Sequence, residues 1–332
     1  MQKFLFVIKY MFKILISSCV ILFVFCFPIV NNIFKPQNTE EELFYTKSED
    51  IVLDMWHIES FEGGNSARKT FLDKIFREFN KQNLGVFISL KVMSLEEYNI
   101  NINVNSPDII SFTKDCKGVE KHLTTLERVN KLSKEQTDSV KYEDTIICYP
   151  YMLGRYCLIS YSEKAIDNLC GQIIERKNKK IFPLGFAGCV GSEGSLSSNN
   201  IKYNSNIKVS TTQYENYNSF LKKEITTMLG TQRDVHRLKN RERNGSIDNL
   251  YYTYLDGYTD LVQYIGVTKN CKNIDIAKSF VLFTLSEWVQ KEIANIGMFS
   301  VNKKIYKQDY MKEWEDSLQS TTLPKLFGED NV

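Results

Sequence analysis

Histidine is scarce in this chain. Only His57, His122 and His236 occur among 332 residues. That argues against a multi-histidine metal centre and against a histidine-based catalytic triad. Eight cysteines are present, yet none forms a C-x-x-C pair and no spacing matches a zinc site. They read as small buried hydrophobes. Neither sign of charge is in excess: 42 Lys and Arg face 40 Asp and Glu, a net charge of +2. A dedicated nucleic-acid binder would carry a basic surplus, so no nucleic-acid partner is expected. The chain also lacks G-x-S-x-G, a P-loop, G-x-G-x-x-G, H-E-x-x-H and any internal repeat. No cofactor and no metal are therefore expected.

What is present is enough apolar material for real cores. Hydrophobic residues make up 43% and charged residues 25%, and the length suits two lobes rather than one ordinary domain. The 18 Tyr and 21 Phe belong to a chain also rich in Asn, Lys and Ile, so they read first as composition and only second as ligand-stacking rings.

The N-terminus reads as a membrane signal. Lys3, Lys9 and Lys13 precede an apolar run from Ile14 to Val30. Basic residues before such a run place the N-terminus inside and the rest of the chain on the extracytoplasmic face. With flanking Met11, Phe12 and Ile33 the run reaches bilayer-spanning length. No A-x-A-like cleavage site follows it. Ile16-Ser17-Ser18-Cys19 loosely matches a lipobox, but the apolar run continues well past Cys19, which favours an uncleaved anchor over a lipoprotein or a removed signal peptide. Each reading tethers a soluble body to the outer face of the cell membrane.

Beyond a polar tether, IVLDMW (51–56) suits a buried strand. Gly63-Gly64 marks a loop, and Phe71, Leu72, Ile75, Phe76 and Phe79 share one face of a helix over 66–79. GVFISLKVM (85–93) is the next strand, so the segment is a βαβ unit that demands a parallel sheet. SLEEY opens a helical turn, and SPDIISF (106–112) is a third strand. The polar stretch 119–140 reads as helical, and two short strands flank Pro150 and Gly154. YENYNSFL is helical. ITTMLG is a strand running into a helix that Thr231 caps, with Asp234 in capping-box register. Two strands follow within 249–267, and 271–302 forms an amphipathic helix with a shorter continuation. Strands alternating with helices in two blocks indicate α/β architecture, whose ligands sit beyond the carboxyl ends of the strands.

These segments, in this order, resemble the carbohydrate-binding group of extracytoplasmic solute-binding proteins of ABC importers. IVLDMWHIES-FEGG is similar to that family's first strand and binding loop, and SPDIISF to its Pro-Asp strand. YPYMLGRYCLISYSEKAI resembles the segment that crosses between lobes. ITTMLGTQRD resembles the strand before a ligand-contacting loop, and IDIAKSFVLFTLSEWVQKEIANIGMFSVN the closing helix with its Gln. The resemblance spans residues 51–305. It implies a two-lobed, type II periplasmic-binding-protein-like fold with a central mixed sheet in each lobe, preceded by an N-terminal membrane helix. The organisation expected is an anchor over 1–34, a tether over 35–50, one lobe of 51–147 with 258–302, and a second of 148–257 with 303–332. It further implies a binding protein rather than an enzyme, a sugar-like solute, and an ABC transporter permease as partner. Two departures stand out. Cys170 to Ser210 is short for a second lobe, and Thr231-Gln232-Arg233 stands where many relatives place a stacking Trp.

Ligand contacts follow from the same placement. Gln232 donates and accepts, Arg233 offers a planar fork of donors, and Asp234 accepts, although capping alone explains Asp234. His57 and Glu59 follow the first strand, and Ser111 and Phe112 end the third. Tyr151, beside Pro150, offers a ring for a sugar's apolar face. Tyr258 and Asp260 lie in the second crossing segment. Asp108 reads as a turn cap, Glu62 as stabilising the glycine turn or the helix after it, and Trp288 and Trp314 as packing. Two other functions compete. A membrane-anchored glycan hydrolase would pair Glu59 or Glu62 with Asp234 or Asp260 across a cleft. A sensor would keep the fold without transport.

Overall fold

A computed structural model describes residues 50–59, 65–164, 213–254 and 261–302, together with 305, 323 and 325–327. The anchor, the tether up to Glu49, Glu62, the stretch from Cys170 to Ser210, Tyr258, Asp260 and Trp314 lie outside the described residues. Among the described residues no helix is long and apolar enough to cross a membrane.

The chain opens with β1 (Ile51–Ile58), α1 (Asn65–Gln82) and β2 (Val86–Met93). All eight residues of β1 pair with β2 in parallel, from Ile51 with Val86 to Ile58 with Met93. This is the βαβ unit that the switch from period 2 to period 3.6 predicts. The expected apolar face of α1, from Phe71 to Phe79, is buried. α2 (Leu95–Asn101) starts from a capping box in which Ser94 and Glu97 satisfy each other's backbone N–H. It returns the chain to β3 (Ile109–Phe112), which lies parallel to β1 on the side away from β2.

The polar stretch 119–140 is not the helix its composition suggests. It holds a 3-10 turn at Val119–Lys121 and a short α3 (Lys134–Ser139) with its own Ser133–Gln136 capping box. The reason is tertiary. Leu123 and Leu126 are both buried, and each is drawn into a bridge, with Thr268 and Ile146 respectively, which a continuous helix would forbid. The ribbon of β4 (Lys141–Tyr142) and β5 (Thr145–Ile146) follows.

β6 (Tyr149–Leu153) is buried throughout. It pairs with β10 and so belongs to the first sheet, which reaches past the lobe boundary expected at residue 147. The second sheet begins at β7 (Tyr156–Ser160) and is completed by β8 (Thr227–Thr231) and β9 (Tyr251–Tyr254), both antiparallel to β7. α4 (Gln213–Leu221) precedes β8, and α5 (Gln232–Arg243) follows it directly. β10 (Val262–Val267) returns to the first sheet. The closing region is α6 (Ile274–Phe283), α7 (Glu287–Asn295) and the short β11 (Phe299–Ser300). Among the described residues the first sheet thus has six strands in the order β11-β6-β10-β3-β1-β2, and the second three in the order β8-β7-β9.

Rings of α1 and α6 interlock over the larger sheet. Phe79 meets Phe280 edge-on at 5.1 Å between centroids, and Phe76 meets it at 5.7 Å. Such pairs add about 0.5–1.5 kcal/mol each beyond area burial. Trp288 stacks on Phe283, in keeping with its expected packing role. The four described cysteines, Cys116, Cys148, Cys157 and Cys271, are buried and free.

Candidate ligand-binding site

Strand directions fix where a ligand has room to sit. β1 and β3 are parallel to each other and β1 to β2, while β10 is antiparallel to both β3 and β6. β6 therefore runs with β1, β2 and β3, and all four carboxyl ends lie along one edge. The chain leaves for the second sheet from that edge, through Gly154 and Arg155, and comes back to it at Leu261, whose carbonyl accepts from Gly154 N at 2.6 Å. In open α/β sheets this is the edge outside which ligands bind.

The edge carries a buried polar cluster. His57 and Ser111 are register partners on β1 and β3, with His57 Nδ1 2.9 Å from Ser111 Oγ. The same oxygen is 2.9 Å from the Tyr151 hydroxyl on β6. Gln263, at the start of β10, donates from Nε2 to Ser111 Oγ at 3.0 Å and to the Ile58 carbonyl at 3.2 Å. All four side chains are at most 1% exposed. A serine hydroxyl donates once and accepts twice, so these three contacts use Ser111 fully. His57, Ser111 and Tyr151, read from the sequence as separate contacts, are thus one network.

Two polar atoms at this edge stay without an oxygen or nitrogen partner. Because the Ile58 carbonyl can only accept, it fixes Gln263 with its amide nitrogen inward. That leaves Gln263 Oε1 buried and unmatched. Thr113 Oγ1 likewise finds no oxygen or nitrogen partner and meets only a thiol. Thr113 follows the last residue of β3, shares the face of Ser111, and stands where the register that pairs Phe112 with Tyr264 continues toward Gln263. Near it lies the Cys116 thiol, a weak partner that burial pushes up to about 12. Leaving such atoms unmatched costs about 1–3 kcal/mol each. Native structures retain that cost mainly where something else completes the bonding. Burial also raises the Asp115 carboxyl, two residues on, against the lowering pull of Lys117 and Lys114. Neither Thr113 nor Gln263 was among the residues read from the sequence. The available signal was a lone amide, Gln263, inside the apolar run LVQYIGV.

Other expected contacts have different surroundings. Phe112 is fully buried, with its ring 5.7 Å from that of Tyr264. Glu59 is partly exposed just past β1, and its N–H donates to Met93 O. The polar cluster after β8 is buried too. Gln232 Oε1 accepts from Arg155 N at 2.6 Å, Gln232 N donates to Arg155 O at 3.0 Å, and Gln232 Nε2 reaches Met298 Sδ at 3.2 Å. The amide expected to face solute instead ties α5 to the crossing segment and to the turn before β11. Asp234 Oδ2 accepts from Thr231 N at 2.9 Å and from Thr231 Oγ1 at 3.3 Å, closing the capping box. Asp108 caps backbone as expected, accepting from Asp54 N at 2.9 Å. Arg233 is 3% exposed.

The crossing itself carries Arg155, 1% exposed, with its guanidinium 5.6 Å from the centre of the Tyr254 ring. It is a single charge in an otherwise unbroken buried run from Ile146 to Ser160. The Gln of the closing helix, Gln290, donates to the carbonyls of Tyr151 (3.0 Å) and Thr284 (2.8 Å). It accepts from Ser300 Oγ (2.7 Å) and Val301 N (2.9 Å). One amide thereby joins α7, β6 and β11, and supports the strand that carries Tyr151. Among the described residues no group of three or more His, Cys, Asp or Glu is placed to hold a metal.

No protein-family model matches the sequence, and no curated protein matches it. Solved structures do. The GacH receptor of Streptomyces glaucescens GLA.O, solved unliganded and with acarbose, superposes with a TM-score of 0.58 at 12% identity, over 83% of this chain and 88% of that one. The maltose-maltodextrin binding protein of Alicyclobacillus acidocaldarius gives 0.54 at 12% identity, over 83% and 90%. An extracellular solute-binding protein of Staphylococcus aureus in complex with maltose gives 0.53 at 13% identity, over 83% and 87%. The expected two-lobed α/β fold of the periplasmic binding proteins is borne out; the larger sheet is mixed as expected, the second is antiparallel among the described residues, and the expected membrane helix lies outside them.

Proposed function

We propose that the chain is an extracytoplasmic solute-binding protein that captures a sugar or oligosaccharide between its lobes and delivers it to an ABC transporter permease. The observation that carries this reading is the pair of unmatched buried oxygens, Gln263 Oε1 and Thr113 Oγ1, beside the His57–Ser111–Tyr151 network at the carboxyl edge. Unsatisfied acceptors held rigidly from behind suit the hydroxyl donors of a sugar. The compared proteins of this fold hold acarbose and maltose, which supports that solute class. Solute contacts made to both lobes would favour a closed arrangement about the two crossing segments, a hinge-type population shift. Residues 1–34 would anchor the chain, with its body on the extracytoplasmic face. Glu59, Tyr258 and Asp260 remain proposed contacts at the margins of the site.

One observation speaks against a hydrolase. Asp234 is held in its capping box, which removes it from the carboxylate pairs that reaction requires.

The test is a thermal-shift screen of the full chain against sugars, sugar acids, sugar phosphates, amino acids and peptides, with the glycans analysed for breakdown. A ligand that binds only the folded form raises Tm by mass action. The proposal expects a saturable shift with sugars and intact glycans. Glycan turnover would replace it with the hydrolase, and a flat panel would replace it with a sensor that has lost solute binding.

A further inference from the structure

The register of the larger sheet breaks beside the polar cluster. β10 and β6 pair Gln263 with Met152 and then Tyr264 with Pro150, which leaves Tyr151 as an extra residue on β6. Directly opposed residues share a face, so Met152 lies on the face of Gln263. Regular alternation would turn Tyr151 to the other face. Its hydroxyl instead reaches Ser111, which is paired with Ile265 and so shares the face of Gln263. Bulges re-aim a side chain and gather next to functional sites. This one brings Tyr151 to the oxygen that Gln263 also holds.

The cluster is short of protons. Gln263 commits both amide hydrogens, one to the Ile58 carbonyl and one to Ser111. Turning the amide over would set Oε1 against the Ile58 oxygen at 3.2 Å, acceptor facing acceptor. Ser111 has one hydrogen and two places to accept. Gln263 fills one place, so the hydrogen and the other place are divided between His57 and Tyr151. Ser111 therefore has no proton to turn toward Gln263 Oε1. That oxygen can only accept, whereas the Thr113 hydroxyl can also donate and has a thiol beside it.

We infer that Gln263 sets the polarity of the solute contact: its Oε1 takes a hydroxyl that donates, and rejects at that point any group that can only accept, such as fluorine, a carboxylate or a phosphate oxygen. The inference rests on the sugar-binding reading and narrows it to solutes with an unblocked hydroxyl there. A site built around a buried polar group rejects a partner that cannot pair with it far more strongly than an apolar pocket rejects a missing methylene. Gln263 stands two residues after Leu261, where the returning segment meets Gly154, so the proposed hinge motion gives solute access to it.

The experiment titrates the full chain calorimetrically with D-glucose, D-galactose, D-mannose and maltose, and with the monodeoxy and monodeoxyfluoro derivatives of each one that binds. Fluorine accepts weakly and cannot donate. At one hydroxyl the deoxy and the fluoro derivative should both bind about tenfold or more weakly than the parent, because each leaves the buried oxygen unpaired. In Gln263→Met the parent and those two derivatives should fall within about threefold of one another at that hydroxyl alone. If Gln263→Met does not fold, the derivative series on the unmutated chain still decides. Fluorine restoring affinity at every hydroxyl whose removal weakens binding would overturn the inference, as would a Gln263→Met chain that keeps the full discrimination. No binding by any of the four parents would overturn the sugar-binding reading together with it.

Discussion

Gln232 separates two roles that the sequence alone runs together. Read from the sequence it is a solute contact; in the fold its amide braces Arg155 and Met298. Gln232→Ala leaves Arg155 N–H buried with its side-chain acceptor gone, at about 1–3 kcal/mol for the orphaned donor. The vacated amide volume adds roughly another 1 kcal/mol, because the surroundings relax only in part. The expected loss is therefore about 2–4 kcal/mol, or about 5–15 °C in Tm for a body of this size. Urea denaturation measures the loss, and titration of the surviving folded protein with its best sugar measures affinity. The brace predicts a lower midpoint with Kd changed by less than about threefold, below 1 kcal/mol. A variant of unchanged stability that has lost tenfold or more in affinity, about 1.4 kcal/mol, would refute the brace and restore Gln232 to the site.

Gln290→Leu removes four hydrogen bonds at once and strands the carbonyls of Tyr151 and Thr284 with Val301 N–H, so denaturant titration should show a loss of about 3–5 kcal/mol. Gly297 has φ +81° and an added Cβ would lie 2.6 Å from His236 Cβ; Gly297→Ala should cost about 2 kcal/mol or more, read as a fall in Tm. Burial, aided by the charges of Arg243, Arg233 and Arg237, lowers His236 to about 4. The unfolded chain therefore takes up this proton first as pH falls. Stability from this residue is complete above pH 6.5 and declines between 6.5 and 4 by at most about 3 kcal/mol. His236→Gln should flatten that part of a stability-versus-pH profile. Thr113→Val replaces a hydroxyl whose one partner is the weak Cys116 thiol by a methyl of the same shape; urea midpoints should stay level or rise by about 1 kcal/mol while sugar affinity falls about tenfold.

Local signals carried most of the fold because they agree with the packing. The apolar face from Phe71 to Phe79, the Thr231–Asp234 capping box and the alternation of strand and helix all appear in the structure near their expected places. The stretch 119–140 failed because Leu123 and Leu126 answer to Thr268 and Ile146, distant in sequence, and no local pattern announces such a bridge. The candidate site was half legible. His57, Ser111 and Tyr151 were picked out by their positions near strand ends, but their union through Gln263 depends on the β3-β10-β6 order, which only the folded sheet supplies. Gln232 stands apart for a related reason, while Asp234 fills the capping role that its register offered. A polar cluster at a strand end looks the same in sequence whether it faces solute or satisfies backbone, and here the backbone of Thr231 and Arg155 takes it.

The central claim is that a sugar completes the unmatched bonding at the carboxyl edge. The most direct measurement is calorimetric titration of the full chain and of Thr113→Val with the sugar that shifts Tm most. The account predicts saturable one-to-one binding to the full chain, weakened about tenfold by the single hydroxyl-to-methyl change, which is about 1.4 kcal/mol. Equal affinity for both proteins, or no heat from any sugar, would contradict it.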